Sequence, residues 1–285
     1  MSSILNLLGP LLFFIPKNLL SWLTGQFAAM PWPSPLKGWI LRRFASHYNL
    51  NLQEAEKPID DYLSVNDLFT RRLKSGVRPI EGDWVHPADS RLSQVCSIEK
   101  GVLLQAKGIT YGVNDFLKND KAEQMFQGGT ALTYYLCPTD YHRVHSPCAA
   151  QVSEVNYIPG RLWPVNDWSV SHIPQLFSIN ERVVFWLNTQ WGEVAYVMVG
   201  ATNVGKITLS FDQEIVSNIH PIFPRPQVKT YSPTIDLAPG SEMGTFHLGS
   251  TVIVLYPKGA PLEAGRLPLG KPVRMGENIY KGHVQ

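Results

Sequence analysis

Acidic side chains are missing from the first 53 residues of this 285-residue chain; the first is Glu54. Of its 25 Lys and Arg residues, Lys17, Lys37, Arg42 and Arg43 fall in that acid-free stretch. The remaining 232 residues carry 21 basic against 23 acidic side chains, a net charge of −2, which leaves no broad basic field for nucleic acid. Cysteine is equally scarce. Cys96, Cys137 and Cys148 are odd in number, far apart and without a CxxC pair, so neither a zinc site nor a disulfide framework is expected, and a reducing compartment suits them. Long apolar runs are also lacking. Ile4, Leu5, Leu7, Leu8, Leu11, Leu12, Phe13, Phe14 and Ile15 are interrupted by Pro10 and followed by Pro16 and Lys17, which is too short to span a bilayer. The lysine follows the apolar run, the reverse of a secretory signal, so export is not expected.

What the acid-free stretch does contain is amphipathic. From Lys17 onward Leu19, Leu20, Trp22, Leu23, Phe27 and Met30 recur at helical spacing, and after Pro31, Pro33 and Pro35 the pattern resumes with Leu36, Trp39, Ile40 and Phe44. Lys37, Arg42 and Arg43 fall largely off that second face. Two readings are open: the apolar faces pack on the body of the protein, or they lie at a membrane interface with the cations near anionic phosphates. The second marks Trp22, Phe27, Trp39, Phe44, Arg42 and Arg43 as membrane contacts and residues 1–53 as a membrane-associating region. Residues 54–285 then form the main domain.

A third helix is predicted from Ser64 to Lys74, opened by a capping-box variant of Ser64 and Asp67, with Arg71, Arg72 and Lys74 as its solvated, dipole-compensating end. Beyond it, short β-rich runs dominate: Leu92 to Ile98, Val102 to Ala106, Ala131 to Cys137, Val183 to Leu187, Val194 to Val199, Lys206 to Phe211 and Thr251 to Tyr256. Turn signals such as Gly128-Gly129, Pro159-Gly160 and Pro239-Gly240 separate them. The expected class is α+β, with N-terminal amphipathic helices followed by a mainly antiparallel β body, barrel-sandwich-like with two packed sheets. Pro221, Pro224, Pro226 and Pro233 are read as one long irregular surface connection.

The chemistry centres on Gly249-Ser250, at the mouth of the last long β run. Glycine has no Cβ, so the link can take a tightly turned geometry in which the serine hydroxyl attacks the preceding carbonyl. A serine is a weak nucleophile and needs a base, itself oriented by a third group. Two polar clusters at strand ends supply candidates: Tyr141-His142-Arg143-Val144-His145-Ser146-Pro147, and His86-Pro87-Ala88-Asp89-Ser90-Arg91. By residue type, either His142 or His145 together with Asp89 completes a Ser-His-Asp set with Ser250. The H-x-x-H spacing is not read as a metal site, because Pro138 and Pro147 bracket it and argue against a helix. His47, His172, His220, His247 and His283 are read as structural.

Taken together, HPADSRLS around Asp89, DYHRVHSP, FTRRLK at Phe69 to Lys74 and LGST at Leu248 to Thr251 resemble the phosphatidylserine decarboxylase proenzymes of the bacterial membrane-associated type. The resemblance extends to KGITYGVNDFL from Lys107 to Leu117, LFSINERVV from Leu176 to Val184 and GATNVGKI from Gly200 to Ile207. It implies a pyruvoyl-dependent enzyme that converts phosphatidylserine to phosphatidylethanolamine and CO2 through a Schiff base. The chain would be cut between Gly249 and Ser250 into a β chain, 1–249, and an α chain, 250–285, with Ser250 becoming the pyruvoyl cofactor. On the same grounds Asp89, His145 and Ser250 form the self-processing triad and His142 serves decarboxylation as acid or base. Implied partners are phosphatidylserine, a phospholipid surface, the two cleaved chains and a second copy in a homodimer; the implied location is peripheral on the cytoplasmic face of the inner membrane. Two other readings of the residues are a Ser-His-Asp lipid hydrolase, against which the missing G-x-S-x-G elbow and βα alternation argue, and a noncatalytic lipoyl-like carrier or binding module, which lacks a lysine at its hairpin tip.

Overall fold

The computed structural model describes residues 16–106, 108–202, 206–247 and 250–283, with Asp167 and Ser250 described through their backbone. Gly249 and the apolar start before Pro16 lie outside the described residues. Helices α1 (Lys17–Ala29) and α2 (Leu36–His47) are separated by the prolines that cannot continue a helix. A single turn and a half, α3 (Val65–Phe69), follows.

The body begins with β1 (Ser90–Ser97), β2 (Val102–Ala106) and β3 (Ile109–Gly112), then α4 (Val113–Leu117) and α5 (Ala122–Phe126). Next come β4 (Thr130–Leu136), β5 (Arg143–His145) and β6 (Ala150–Ile158), then α6 (Asp167–His172) and α7 (Leu176–Ile179). The chain finishes with β7 (Arg182–Thr189), β8 (Gly192–Val199), β9 (Lys206–Leu209), β10 (Gln227–Leu237), β11 (Glu242–His247), β12 (Ser250–Tyr256) and β13 (Pro272–Val273). The class is α+β with antiparallel pairing throughout.

An eight-stranded sheet runs β10-β6-β7-β8-β12-β4-β1-β13, and a three-stranded sheet runs β5-β11-β9. The central strands of the large sheet are apolar on both faces because both are covered. In β12, Val252, Val254 and Tyr256 join the cluster shared with Val144, Ile207, Leu209, Met243 and Phe246 of the small sheet. Ile253 and Leu255 point the other way, against Phe116, Leu117 and Phe126 of α4 and α5. The period-2 alternation of β strands thus feeds two cores at once.

Three chain crossings between the sheets decide where function sits. β8 leads to β9, β12 is entered from β11, and β4 leads to β5; in the large sheet the order is β8-β12-β4, and in the small sheet β9-β11-β5. β12 and β11 are thus the middle strands of these two triplets, flanked by β8 and β4 in the large sheet and by β9 and β5 in the small one. Ser250 pairs with Leu136, Thr251 with Val199, Arg91 with Tyr135 and Arg182 with Val199. The start of β1 with Asp89, the start of β7 with Glu181 and the start of β12 consequently gather at one end of the sheet.

Several elements depart from the sequence expectation. The third helix stops at Phe69, not Lys74: Thr70 turns its hydroxyl back to the Asn66 carbonyl at 2.8 Å, and the chain then pairs with residues 54–56. Arg71 is accordingly buried at 4 % exposure and is not part of a solvated helix end. The proline-rich stretch also orders further than expected. Residues 227–237 form the edge strand β10, whose register with β6 shifts across Thr230 to Ile235, and an edge is where a sheet tolerates Pro233.

The N-terminal helices dock the reverse of the ordinary way. Lys17, Ser21 and Ala28 of α1 are buried, Lys17 with its ammonium 3.6 Å over the Trp163 ring, and Asn18 donates to the Gly160 carbonyl at 2.8 Å. Leu20, Leu23, Phe27 and Met30 face outward, as do Leu36 and Trp39 of α2, with Trp39 65 % exposed. Trp22 and Phe44 are half-buried, and Arg42 and Arg43 are exposed. What α2 packs inward is Gly38, Leu41 and Ala45.

Candidate active site

His145 ends β5, and its imidazole is held at both nitrogens. Nδ1 lies 2.9 Å from the Gly240 carbonyl, which can only accept, so Nδ1 carries the proton. Nε2 then bears the lone pair, and Tyr141 donates its hydroxyl to it at 3.3 Å, with the two rings stacked 5.6 Å apart. The carbonyl comes from the turn at Pro239-Gly240. Gly240 has φ +76°, and a Cβ there would meet Ile80 Cδ1, so only glycine presents the carbonyl this way. Burial lowers the His145 pKa below the usual histidine value, keeping it neutral and basic at pH 7.

Asp89, the predicted orienting group, sits just before β1 in a different set of bonds. Arg78 donates Nε–H to Oδ1 at 2.9 Å and Nη2–H to Oδ2 at 2.6 Å, and the Met275 amide donates to Oδ1 at 2.9 Å. Arg78 also reaches Glu54 at 2.8 Å. Asp89 acts on His145 through space, its charge favouring the protonated imidazole, while the direct hydrogen bond to Nδ1 belongs to Gly240.

His142 lies on the 137–142 crossing and is fully buried. Its Nδ1–H donates to the Asp140 carbonyl at 2.9 Å, and Nε2 has no partner among the described residues. The ring packs against Phe69, tilted by 40° with centroids 4.0 Å apart. Burial first, with Arg71 adding repulsion, drives its pKa down to about 3, so the form present is neutral with a bare lone pair on Nε2. It becomes an acid only after that nitrogen has taken a proton. Beside it the Asp140 carboxyl is pushed up to about 6 by burial, though the Cys137 amide donates to it at 2.7 Å.

Four residues at or near this centre were not proposed for a role from the sequence. Arg78 and Gly240 carry no local signal, since one acts across the fold and the other through a carbonyl. Tyr141 stood inside the DYHRVHSP run, and His247, read as structural, bridges Thr208 at 3.0 Å and Asn66 at 3.1 Å two residues before the Gly249-Ser250 link. The remaining motifs brace one another. Arg182 of LFSINERVV donates to the Asp115 and Phe116 carbonyls of KGITYGVNDFL, and Asn180 donates to the Gly200 carbonyl of GATNVGKI.

Two cavities flank this centre. An apolar groove of ≈ 520 Å³ between α1, α2 and α3 is lined by Phe27, Trp39, Phe44 and Phe69 and ends at Pro138 and Thr202. A polar cavity of ≈ 400 Å³ is lined by Arg71, Arg78, Asp89, Thr139, Asp140 and Tyr141 among others. Among the described residues no group of three or more His, Cys, Asp or Glu is arranged to hold a metal ion.

An α+β fold of antiparallel sheets, with two buried neutral histidines on the segment that follows β4 and a strand opened by Ser250 beside β4, gives the frame for the comparison with known proteins. Residues 65–281 match the family model described as phosphatidylserine decarboxylase. The chain is 38 % identical over 268 residues to the phosphatidylserine decarboxylase proenzyme of Myxococcus xanthus, covering 93 % of this chain and 94 % of the relative. It is 41 % identical over 271 residues to that of Vibrio cholerae, with 93 % and 95 % covered, and 40 % identical over 275 residues to that of Pasteurella multocida, with 93 % and 91 % covered. The chain belongs to the phosphatidylserine decarboxylase family.

Proposed function

We propose that the chain is a proenzyme that cuts itself between Gly249 and Ser250 and then decarboxylates phosphatidylserine to phosphatidylethanolamine at a lipid surface. The observation that carries this reading is the pairing of Ser250, at the start of β12, with Leu136 at the end of β4, from which the chain runs on to His142 and His145, while Asp89 stands at the head of β1 on the other side of β4. The Ser250 hydroxyl attacks the Gly249 carbonyl carbon, its proton passes to His145 Nε2, and the Ser250 nitrogen leaves as an amine, giving an ester. Loss of the Ser250 α-proton expels the Gly249 carboxylate, and hydrolysis of the resulting dehydroalanine releases ammonia and leaves a pyruvoyl group.

The residues present fit such a group: Ser250 is the first residue of a strand fixed on both sides, and the neighbouring imidazoles are buried, neutral and aligned by backbone carbonyls. When formed, it supplies an electron sink for the pair left as CO2 departs. His142 Nε2 is the proton-carrying atom for the reacting carbon, with Phe69 fixing the plane of its ring. Asp89 holds negative charge near His145 and is itself locked by Arg78.

The outward apolar faces of α1 and α2, with Arg42 and Arg43 exposed beside them, favour the interfacial reading of residues 1–53 over packing on the body. Among the described residues no helix is long and apolar enough to cross a membrane. Three scattered cysteines without a CxxC pair suit the cytoplasmic face. Denaturing mass spectrometry tests the whole reading. Two pieces are expected, 1–249 and 250–285, the smaller blocked by pyruvoyl, with Ser250→Ala remaining intact; an unsplit parent chain, as a hydrolase or carrier would give, refutes it.

A further inference from the structure

The strongest unexplained group in the molecule is the guanidinium of Arg71. The residue is 4 % exposed, yet its Nε–H and Nη1–H have no hydrogen-bond partner among the described residues, and Nη2 reaches only the Thr139 carbonyl at 3.3 Å. Unpaired buried donors on a charged group are costly, and their retention points to a ligand that satisfies them. Arg71 lines the polar cavity, where Arg78 is matched to Asp89 and Glu54 and where burial pushes Asp140 towards its neutral form. Arg71 has no carboxylate within ion-pair distance among the described residues.

The position of Arg71 along the chain is as informative as its charge. Phe69 lines the apolar groove and Arg71, two residues on, lines the polar cavity; on the facing crossing Pro138 lines the groove and Thr139 the cavity. The same two segments thus wall both cavities, apolar residues towards one and Arg71 and Thr139 towards the other. A phospholipid has the same order of chemistry: acyl chain, phosphodiester, then the amino acid. We propose that Arg71 is the receptor for the phosphodiester of the lipid headgroup, which sets the acyl chain in the groove and the serine moiety towards Tyr141 and His142. This inference rests on the decarboxylase reading above.

Phosphatidylserine also carries a carboxylate, but Arg71 suits it poorly. That carboxylate loses its charge as CO2 leaves, so an ion pair to it would stabilise the ground state and slow the reaction. The phosphodiester keeps its charge throughout, so holding it lowers KM and leaves kcat alone.

The test compares two substrates on the self-cleaved enzyme: phosphatidylserine, and serine decyl ester, which has the amino acid and an alkyl chain but no phosphodiester. Arg71→Gln is expected to raise KM for phosphatidylserine about ten- to a hundredfold, the usual weight of charge-assisted hydrogen bonds, with kcat little changed. Turnover of serine decyl ester should fall at least tenfold less than that of phosphatidylserine, any shared loss reflecting the charge that Arg71 sets beside His142, and Arg71→Lys should recover part of the loss. Equal losses on both substrates, or a fall in kcat alone, would overturn the proposal and assign Arg71 to structure. Should Arg71→Gln fail to mature, the full-length Ser250→Ala chain, with and without Arg71→Lys, is titrated with glycerophosphoserine by calorimetry. Binding weakened by Arg71→Lys supports the site; unchanged binding, or inorganic phosphate binding as tightly as glycerophosphoserine, refutes it. A parent enzyme inactive on phosphatidylserine would instead refute the decarboxylase reading, so the two failures are told apart.

Discussion

Arg78 grips both carboxylate oxygens of Asp89, at 2.9 Å and 2.6 Å, with the side chains only 8 % and 11 % exposed. Removing one partner of such a buried pair leaves the other charge uncompensated. Arg78→Ala is expected to cost about 3–5 kcal/mol in urea unfolding of the Ser250→Ala proenzyme. In the cleavable chain it should also slow self-cleavage, because Asp89 is no longer held in place. Normal stability and normal cleavage together would remove Arg78 from the site.

The two histidines should separate by function. His145→Ala is expected to leave the chain whole on a denaturing gel, since no neutral imidazole remains to take the Ser250 proton. His142→Ala should split but decarboxylate about a hundredfold or more slowly, the usual weight of a general acid or base. The opposite pattern would exchange their roles.

Self-cleavage should follow the base form of His145. Its pKa lies below the ordinary 6.5, chiefly through burial, so the acid limb of the rate is expected to have its midpoint below pH 6.5. A midpoint above 6.5 in a pH series of cleavage rates would contradict the buried, neutral His145.

Glu181, just before β7, is buried and its carboxyl is pushed up from the ordinary 4.5 to about 7 by desolvation. Tyr157 donates to its Oε2 at 2.8 Å. A folded-state value above the unfolded one means that the native chain binds the extra proton, so this stability is present below pH 4.5 and lost as pH rises through 7. Glu181→Gln should therefore gain in Tm relative to the parent between pH 5 and pH 8. A difference in Tm that does not change with pH would count against a protonated Glu181.

Liposome sedimentation checks the outward apolar faces. Replacing Leu23, Phe27 and Trp39 together with Glu is expected to abolish co-sedimentation with anionic vesicles while leaving Tm within a degree or two, because none of the three is buried. Deleting residues 1–45 should do the same to binding. Undiminished sedimentation would place the membrane contact elsewhere.

The sequence was legible where one local rule sufficed. The β runs at Val102 to Ala106 and Thr251 to Tyr256 follow from apolar β-rich composition, and they match β2 and β12 within a residue. Apolar spacing located α1 and α2, but it could not tell which face docks; that depends on Lys17 finding Trp163 and Asn18 finding Gly160, contacts about 140 residues apart in the chain. Strand β6 alternates less cleanly and was passed over, and Pro233 concealed β10. In the site, Asp89, His142, His145 and Ser250 are residue types with recognisable chemistry. Arg78 and the Gly240 carbonyl are not, because their parts depend on a turn and a cross-fold reach that no spacing encodes.

β12 lies between β8 and β4, bonded along its length to both. A cut at its first residue thus frees an end but no strand: the short piece stays threaded through the middle of the large sheet, and β13 clasps β1 at the far edge. Made by itself, that piece would have no ladder on either side and no reason to hold a shape. Order of events follows. With the proposed cut at Ser250, assembly would come first and scission second, and the maturation of this chain would double as its own inspection.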